Sequence, residues 1–149
     1  MGDKIPVSVL ALIHAPGPDF EVLLLERADL PGYWQSVTGS QDPGETLRDT
    51  LLREVREETG LDAWLYPVRD WRKINRYEIY PHWRHRYPEG VTHNTEHVFS
   101  LELPTPQPVT LAPAEHLSYQ WLPWCRAAAA VFSPSNRDAI LDLPNRGVI

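Results

Sequence analysis

Residues 39–61 read Gly39-Ser40-Gln41-Asp42-Pro43-Gly44-Glu45-Thr46-Leu47-Arg48-Asp49-Thr50-Leu51-Leu52-Arg53-Glu54-Val55-Arg56-Glu57-Glu58-Thr59-Gly60-Leu61, and they decide the fold. The opening run is dense in turn formers. From Thr46 to Thr59, Leu47, Leu51, Leu52 and Val55 recur at helical spacing, and Gly60 stands where a left-handed C-terminal cap belongs. At about 100° per residue, with Leu47 at zero, Leu51, Val55 and Leu52 fall at roughly 40°, 80° and 140°. Glu57, Glu54 and Glu58 fall at roughly 280°, 340° and 20° on the same wheel. The three carboxylates are therefore expected to form one patch at the margin of the apolar stripe, where a merely solvated acidic face would lie opposite it. Glu58, between Leu47 and Leu51, is expected to be partly desolvated. Arg48 falls on the apolar side, a position that first-turn fraying or snorkelling would accommodate.

Carboxylates on adjacent turns at the edge of a core repel one another and take up protons unless positive charge enters the space between them. A hard divalent cation with oxygen ligands meets that need, and magnesium in particular keeps waters and bridges to substrate phosphates. The patch thus points to Mg2+, with Mn2+ able to substitute, and to a phosphorylated small molecule. Arg53 and Arg56 could instead simply balance the glutamates on a helix surface.

The same stretch matches G-x5-E-x7-R-E-U-x-E-E-x-G-U, with U a bulky aliphatic, at all nine specified positions over 23 residues. It resembles the signature of the Nudix hydrolases. That resemblance implies a divalent-metal enzyme that cuts a diphosphate linkage, with metal ligands on Glu54, Glu57, Glu58 and the Gly39 carbonyl. Arg53 would hold the glutamates by ion pairing, and Glu45 would brace the loop. Glu54 and Glu57 both remain candidates for water activation. The family commonly supplies a further ligand from a late loop, which here falls on Glu115. A binding module on the same fold typically loses box glutamates, and this chain keeps them all.

Beyond the box, Tyr33 to Ser40, His82 to Tyr87, Asn94-Thr95-Glu96, Glu115 to Trp121 and Ser135-Asn136-Arg137 resemble the folate-pathway branch of the family, from about Lys4 to Ile140. That branch removes pyrophosphate from 7,8-dihydroneopterin triphosphate. The resemblance implies substrate contacts on Lys4, Arg27, Thr38, Tyr77, Glu78, Ile79, Tyr80 and Ser133, with Trp34 to Thr38 and Tyr77 to Tyr80 lining the ring pocket. Tyr77 and Tyr80 are equally compatible with ordinary strand packing. A nucleotide-directed Nudix pyrophosphohydrolase is the competing expectation, since guanine and pterin share a pyrimidinone edge.

Val7 to His14 and Glu21 to Arg27 are apolar, β-rich runs around a turn at Ala15 to Asp19, expected to form a hairpin. Tyr33 to Thr38 is a short extended piece. Trp71 to Tyr80, Glu96 to Leu103 and Leu117 to Leu122 are expected strands with Pro-containing segments between them, and Trp124 to Phe132 and Pro134 to Leu143 two short helices. Helices and strands mix without a βαβ repeat, which predicts an α+β fold: a mixed sheet sandwiched between helices, α/β/α, in a single domain over residues 1–149.

With 14 Lys and Arg against 20 Asp and Glu, the net charge is −6, which disfavours a nucleic-acid polymer as partner. No run reaches transmembrane length, and the first residues lack the basic start, apolar run and cleavage site of a signal peptide, so no membrane partner and a cytoplasmic location are expected. Cys125 has no partner for an internal disulfide. The three histidines from His82 to His93 lack zinc-ligand spacing.

Overall fold

The computed structural model describes residues 3–17 and 19–146. Pro18, within the first expected turn, lies outside the described residues, as do both ends of the expected domain.

Helix α1 spans Leu47–Thr59. The Thr46 side chain accepts from the Asp49 N–H, and the Asp49 carboxylate accepts from the Thr46 N–H. This reciprocal cap satisfies two donors that the first turn would otherwise leave open. Gly60 ends the helix at φ 73°, where a side chain would be strained. Arg48 is exposed, with its guanidinium 5.7 Å from the Trp64 ring centroid. A long cationic side chain can lie over an apolar neighbour in this way and keep its head in water.

Seven strands form one mixed sheet: β1 (Val7–Ala15), β2 (Glu21–Arg27), β3 (Trp34–Gln35), β4 (Val37–Ser40), β5 (Val68–Glu78), β6 (His93–Glu102) and β7 (His116–Pro123). The order is β3-β2-β1-β6-β5, with β4 also on β1 and β7 on β2. β1 and β6 run parallel from Val7↔Thr95 to His14↔Glu102, and the remaining pairs are antiparallel. The expected hairpin is shorter than its strands: β1 and β2 pair only at His14↔Val22 and Ala15↔Glu21. β1 then takes β4, and β2 takes β7. Both strands are buried on both faces, so no alternation of apolar and polar residues marks their neighbours.

Alternation along β1 divides the core. Val9, Ala11 and Ile13 pack with Leu51 and Val55 of α1. Leu10 and Leu12 pack with Ala127 and Ala128 of α2 (Trp124–Ala130) and with Ala139 and Ile140 of α3 (Pro134–Asp142). Helices therefore cover both faces of a mixed sheet, as expected. Leu51 and Val55 are 1% and 0% exposed, and burial on that scale contributes about 1.5–3 kcal/mol per side chain, so α1 is fixed in rotation against the sheet.

β5 is broken by a register shift between Asp70 and Ile74, with Arg72 at φ 53°, and ends at Glu78. Ile79 and Tyr80, expected within this strand, leave it and lead into a 3-10 turn over Pro81–Arg86. The sequence there signals only a Pro-bounded connection.

Candidate active site

Arg53 ties the helix to the loop before it. Its Nε and Nη2 donate to the two Glu45 oxygens at 2.7 and 2.9 Å, Nη2 also donates to the Ser40 carbonyl at 2.9 Å, and Nη1 donates to Glu54. Glu45 further accepts from the Asp42 N–H and the Thr50 hydroxyl. The Arg53 hydrogen bonds, together with those donors, hold the Glu45 carboxyl down at about 2, so it stays ionised. A planar fork with several donors suits this role, and an ammonium could not span it.

Rotation of α1 places Glu54 and Glu58, one turn apart, against β4. Glu54 is 9% and Glu58 2% exposed. Burial raises the proton affinity of both; the adjacent Glu54 carboxyl and the charge of Glu115 raise that of Glu58 further. A Cβ at Gly39 would overlap the Glu54 carboxyl. The Nε2 of His116 lies 3.7 Å from Glu58 Oε1, but burial and the nearby Arg27 charge lower His116 to about 4, so it brings no countercharge at neutral pH. Glu58 Oε1 is buried with no hydrogen-bond partner.

These features fit a divalent cation: desolvated carboxyls, one orphaned oxygen and no neutralising neighbour for it. Among the described residues, no three His, Cys, Asp or Glu side chains stand pre-assembled as ligands, so the carboxyls would have to draw in around the ion. Glu115 is exposed and lines the same cleft just before β7. Glu57 departs from the single patch expected. Its side chain is 49% exposed, it contacts Arg53 at 3.3 Å, and it does not line the cleft. Residues four apart stack on one face, which puts Glu58 above Glu54 and Glu57 above Arg53.

The cleft has a volume of about 620 Å³, within the usual range for a small-molecule site. Lys4, Arg27, Thr38, Gly39, Tyr77, Glu78, Ile79, Tyr80 and Ser133 all line it. Partial burial of its ammonium, then the charges of Arg86 and Arg27, lower the Lys4 pKa, although the residue as a whole is exposed. Arg27 is held by Asp29 at 2.7 and 2.8 Å and by Gln35 at 2.9 Å, and its guanidinium lies 4.3 Å from the Trp83 ring centroid. Asp29 also accepts from Trp83 and Arg86, which fastens the 3-10 turn beside the cleft. The Thr38 hydroxyl donates to the Val9 carbonyl. Glu78 pairs with Arg84, and the Ser133 side chain caps α3 by accepting from the Asn136 N–H.

Of the Trp34 to Thr38 segment expected in the ring pocket, Gln35 and Thr38 face the cleft, whereas Trp34 packs against the α2–α3 core, Val37 joins the core under α1 and Ser36 bonds Asn136. Strand alternation sends the neighbours to opposite sides. Residues not singled out individually from the sequence also line the cleft, among them Arg86, Trp83, Phe132, Asn94 and Glu96. Glu96 is marked in the sequence only as part of the Asn94-Thr95-Glu96 grouping and as an ionisable side chain in a strand-like stretch. Phe132 lies within 6.2 Å of Tyr80 and 5.9 Å of Trp83, centroid to centroid, making an aromatic wall. That wall exists only after α2 docks.

The NUDIX domain model matches residues 4–143. The chain belongs to the Nudix family. It is 45% identical over 145 residues to dihydroneopterin triphosphate diphosphatase of Escherichia coli strain K12, covering 94% of this chain and 95% of that enzyme. It is 36% identical over 135 residues to the Haemophilus influenzae protein of the same name, covering 89% of this chain and 84% of the relative. The structure of the E. coli dihydroneopterin triphosphate pyrophosphohydrolase superposes with a TM-score of 0.90 at 42% identity, over 99% of this chain and 100% of the other. This Nudix hydrolase therefore has the family's fold, with its signature on β4, the loop and α1. Nudix hydrolases generally use divalent metals, in agreement with the carboxyl cluster. No helix among the described residues is long and apolar enough to cross a membrane.

Proposed function

We propose that this Nudix hydrolase, acting as one domain, converts 7,8-dihydroneopterin triphosphate to the monophosphate and pyrophosphate with Mg2+, for which Mn2+ can substitute. The observation that carries the reading is the 45% identity with the E. coli diphosphatase over 94% of the chain. The cleft supports it by joining a carboxyl cluster, a group of cations and an aromatic wall in one space.

Glu54, Glu58, Glu115 and the Gly39 carbonyl would hold the metal, which when bound neutralises the diphosphate leaving group. Lys4, Arg27 and Arg86 offer charge to the phosphate chain. Arg53 orients Glu54. Of the two candidates for proton acceptor from the attacking water, Glu54 lines the cleft and Glu57 does not, so the role goes to Glu54. Thr38 and Ser133 offer hydroxyls, Glu78 a carboxylate, and Ile79, Tyr77 and Tyr80 ring-sized apolar surface.

The test is a comparison of kcat/KM for 7,8-dihydroneopterin triphosphate, GTP and dATP under matched Mg2+ and pH, with pyrophosphate and phosphate scored separately. The pterin should lead by at least about tenfold, roughly 1.4 kcal/mol of transition-state discrimination. A nucleotide in first place overturns the substrate, and phosphate without pyrophosphate overturns the bond.

A further inference from the structure

Glu96 lies on β6, two residues after Asn94 and on the same strand face. It is 4% exposed yet lines the cleft. The Asn75 amide and the Ser135 hydroxyl both donate to its Oε1, at 3.2 and 2.8 Å. Among the described residues no side-chain donor reaches Oε2. Asn94 is 1% exposed; its amide nitrogen donates to the Ser8 and Tyr77 hydroxyls, while its Oδ1 is buried without a partner. This part of the wall is therefore rich in acceptors and short of donors. A buried acceptor left unpaired costs about 1–3 kcal/mol, and more when charged, so a ligand bringing donors recovers that cost.

We infer that Glu96 selects the ring: its carboxylate accepts the adjacent ring N–H and amino N–H of a 2-amino-4-oxopyrimidine edge, the donor pair common to pterin and guanine. The inference rests on the triphosphate-hydrolase reading above and adds the residue that discriminates. Adenine and cytosine each present a ring acceptor beside the amino group, so either base would bring the carboxylate one donor and set a lone pair against it where guanine and pterin bring a second donor. Sites whose buried polar groups must be matched reject poor partners far more strongly than apolar pockets do. Burial raises the Glu96 pKa against the lowering by the Ser135 and Asn75 hydrogen bonds, and the further donors of a ring edge would favour the ionised form. A carboxylate that only braced α3 against β5 and β6 would act through Oε1 alone.

The decisive measurement is the GTP-to-ATP ratio of kcat/KM in the parent and in Glu96→Gln, with dihydroneopterin triphosphate alongside and melting temperatures recorded. Glutamine keeps one acceptor but sets an NH2 group against a donor-bearing edge. The ratio should favour GTP in the parent and fall at least tenfold in Glu96→Gln, and turnover of the pterin should fall with it. A Ser135→Ala control removes one Oε1 bond and should retain most of the selectivity. Should Glu96→Gln not fold, Glu96→Asp withdraws the same charge by one methylene and should also lower the ratio. An unchanged ratio in a folded Glu96 variant overturns the inference, as does a parent without preference for GTP over ATP. A parent that prefers GTP to both ATP and the pterin, with the ratio lost in Glu96→Gln, overturns the pterin reading and leaves Glu96 as the selector.

Discussion

The carboxyl of Glu54 occupies the space that a Cβ on Gly39 would need. A strand residue thus sets the position of a helix residue, and strand and helix are joined again through Arg53, which donates both to Glu54 and to the Ser40 carbonyl. Gly39→Ala should leave the fold in place, because β4 is extended there, but drive the Glu54 carboxyl out of the cleft. Turnover should fall at least a hundredfold, about 2.7 kcal/mol. Parent-like kcat/KM in a folded Gly39→Ala variant would show that Glu54 need not sit there.

Glu58 and Glu57 are neighbours in sequence with opposite surroundings, so their glutamine variants should separate. Glu58→Gln removes a buried charge whose proton affinity is raised by burial and by Glu54 and Glu115. It should raise the melting temperature without metal, abolish most of the Mg2+-induced rise, and cost at least a hundredfold in turnover. Glu57→Gln, at the exposed rim on Arg53, should cost about tenfold or less. Thermal scans with and without Mg2+, together with kcat, check both, and equal losses for the two variants would place Glu57 in the metal site after all.

Arg53→Lys keeps the charge but loses the fork that reaches Glu45, Ser40 and Glu54 together. Stability should drop by about 1–2 kcal/mol, and kcat/KM should fall at least tenfold as Glu54 loses its orientation. Denaturant unfolding and steady-state kinetics measure these separately. An unaltered kcat/KM would reduce Arg53 to a structural brace.

His14 is 2% exposed on β1, edge-on to Phe20. Burial, and then the Arg69 charge, lower its pKa from 6.5 to about 4. Below pH 6.5 the unfolded chain takes up a proton that the folded protein refuses until about pH 4, so stability is lost as pH falls through that window. The loss approaches about 1.4 kcal/mol per pH unit, roughly 3 kcal/mol in all. The raised carboxyls of Glu54, Glu58 and Glu96 act in the opposite sense, so the comparison must be with a variant. His14→Leu should have a shallower acid limb than the parent in unfolding free energy from pH 7 to 4, and superimposable limbs would remove His14 as the cause.

The sequence by itself determined α1 from cap to cap, because its stop and start signals are local and its stripe repeats at the helical period. It also determined that glutamates border the core, since angular position on a helix follows from spacing alone. Strand existence was legible for the same reason, but strand partners were not: β1 and β2 are apolar on both faces, and nothing local says that they part after two pairs. The wheel already set Glu58 among the apolar residues, but only the tertiary structure decided that Glu54 and Glu58 share a cleft wall with β4 and that Glu57 stays outside it, because the cleft is built by other segments. The same holds for Trp34, turned into the core by strand alternation, and for the cleft wall of Glu96, Asn94, Trp83 and Phe132, drawn from segments far apart in the chain. Contacts between such segments are set by packing and long-range pairing, which no short window of sequence encodes.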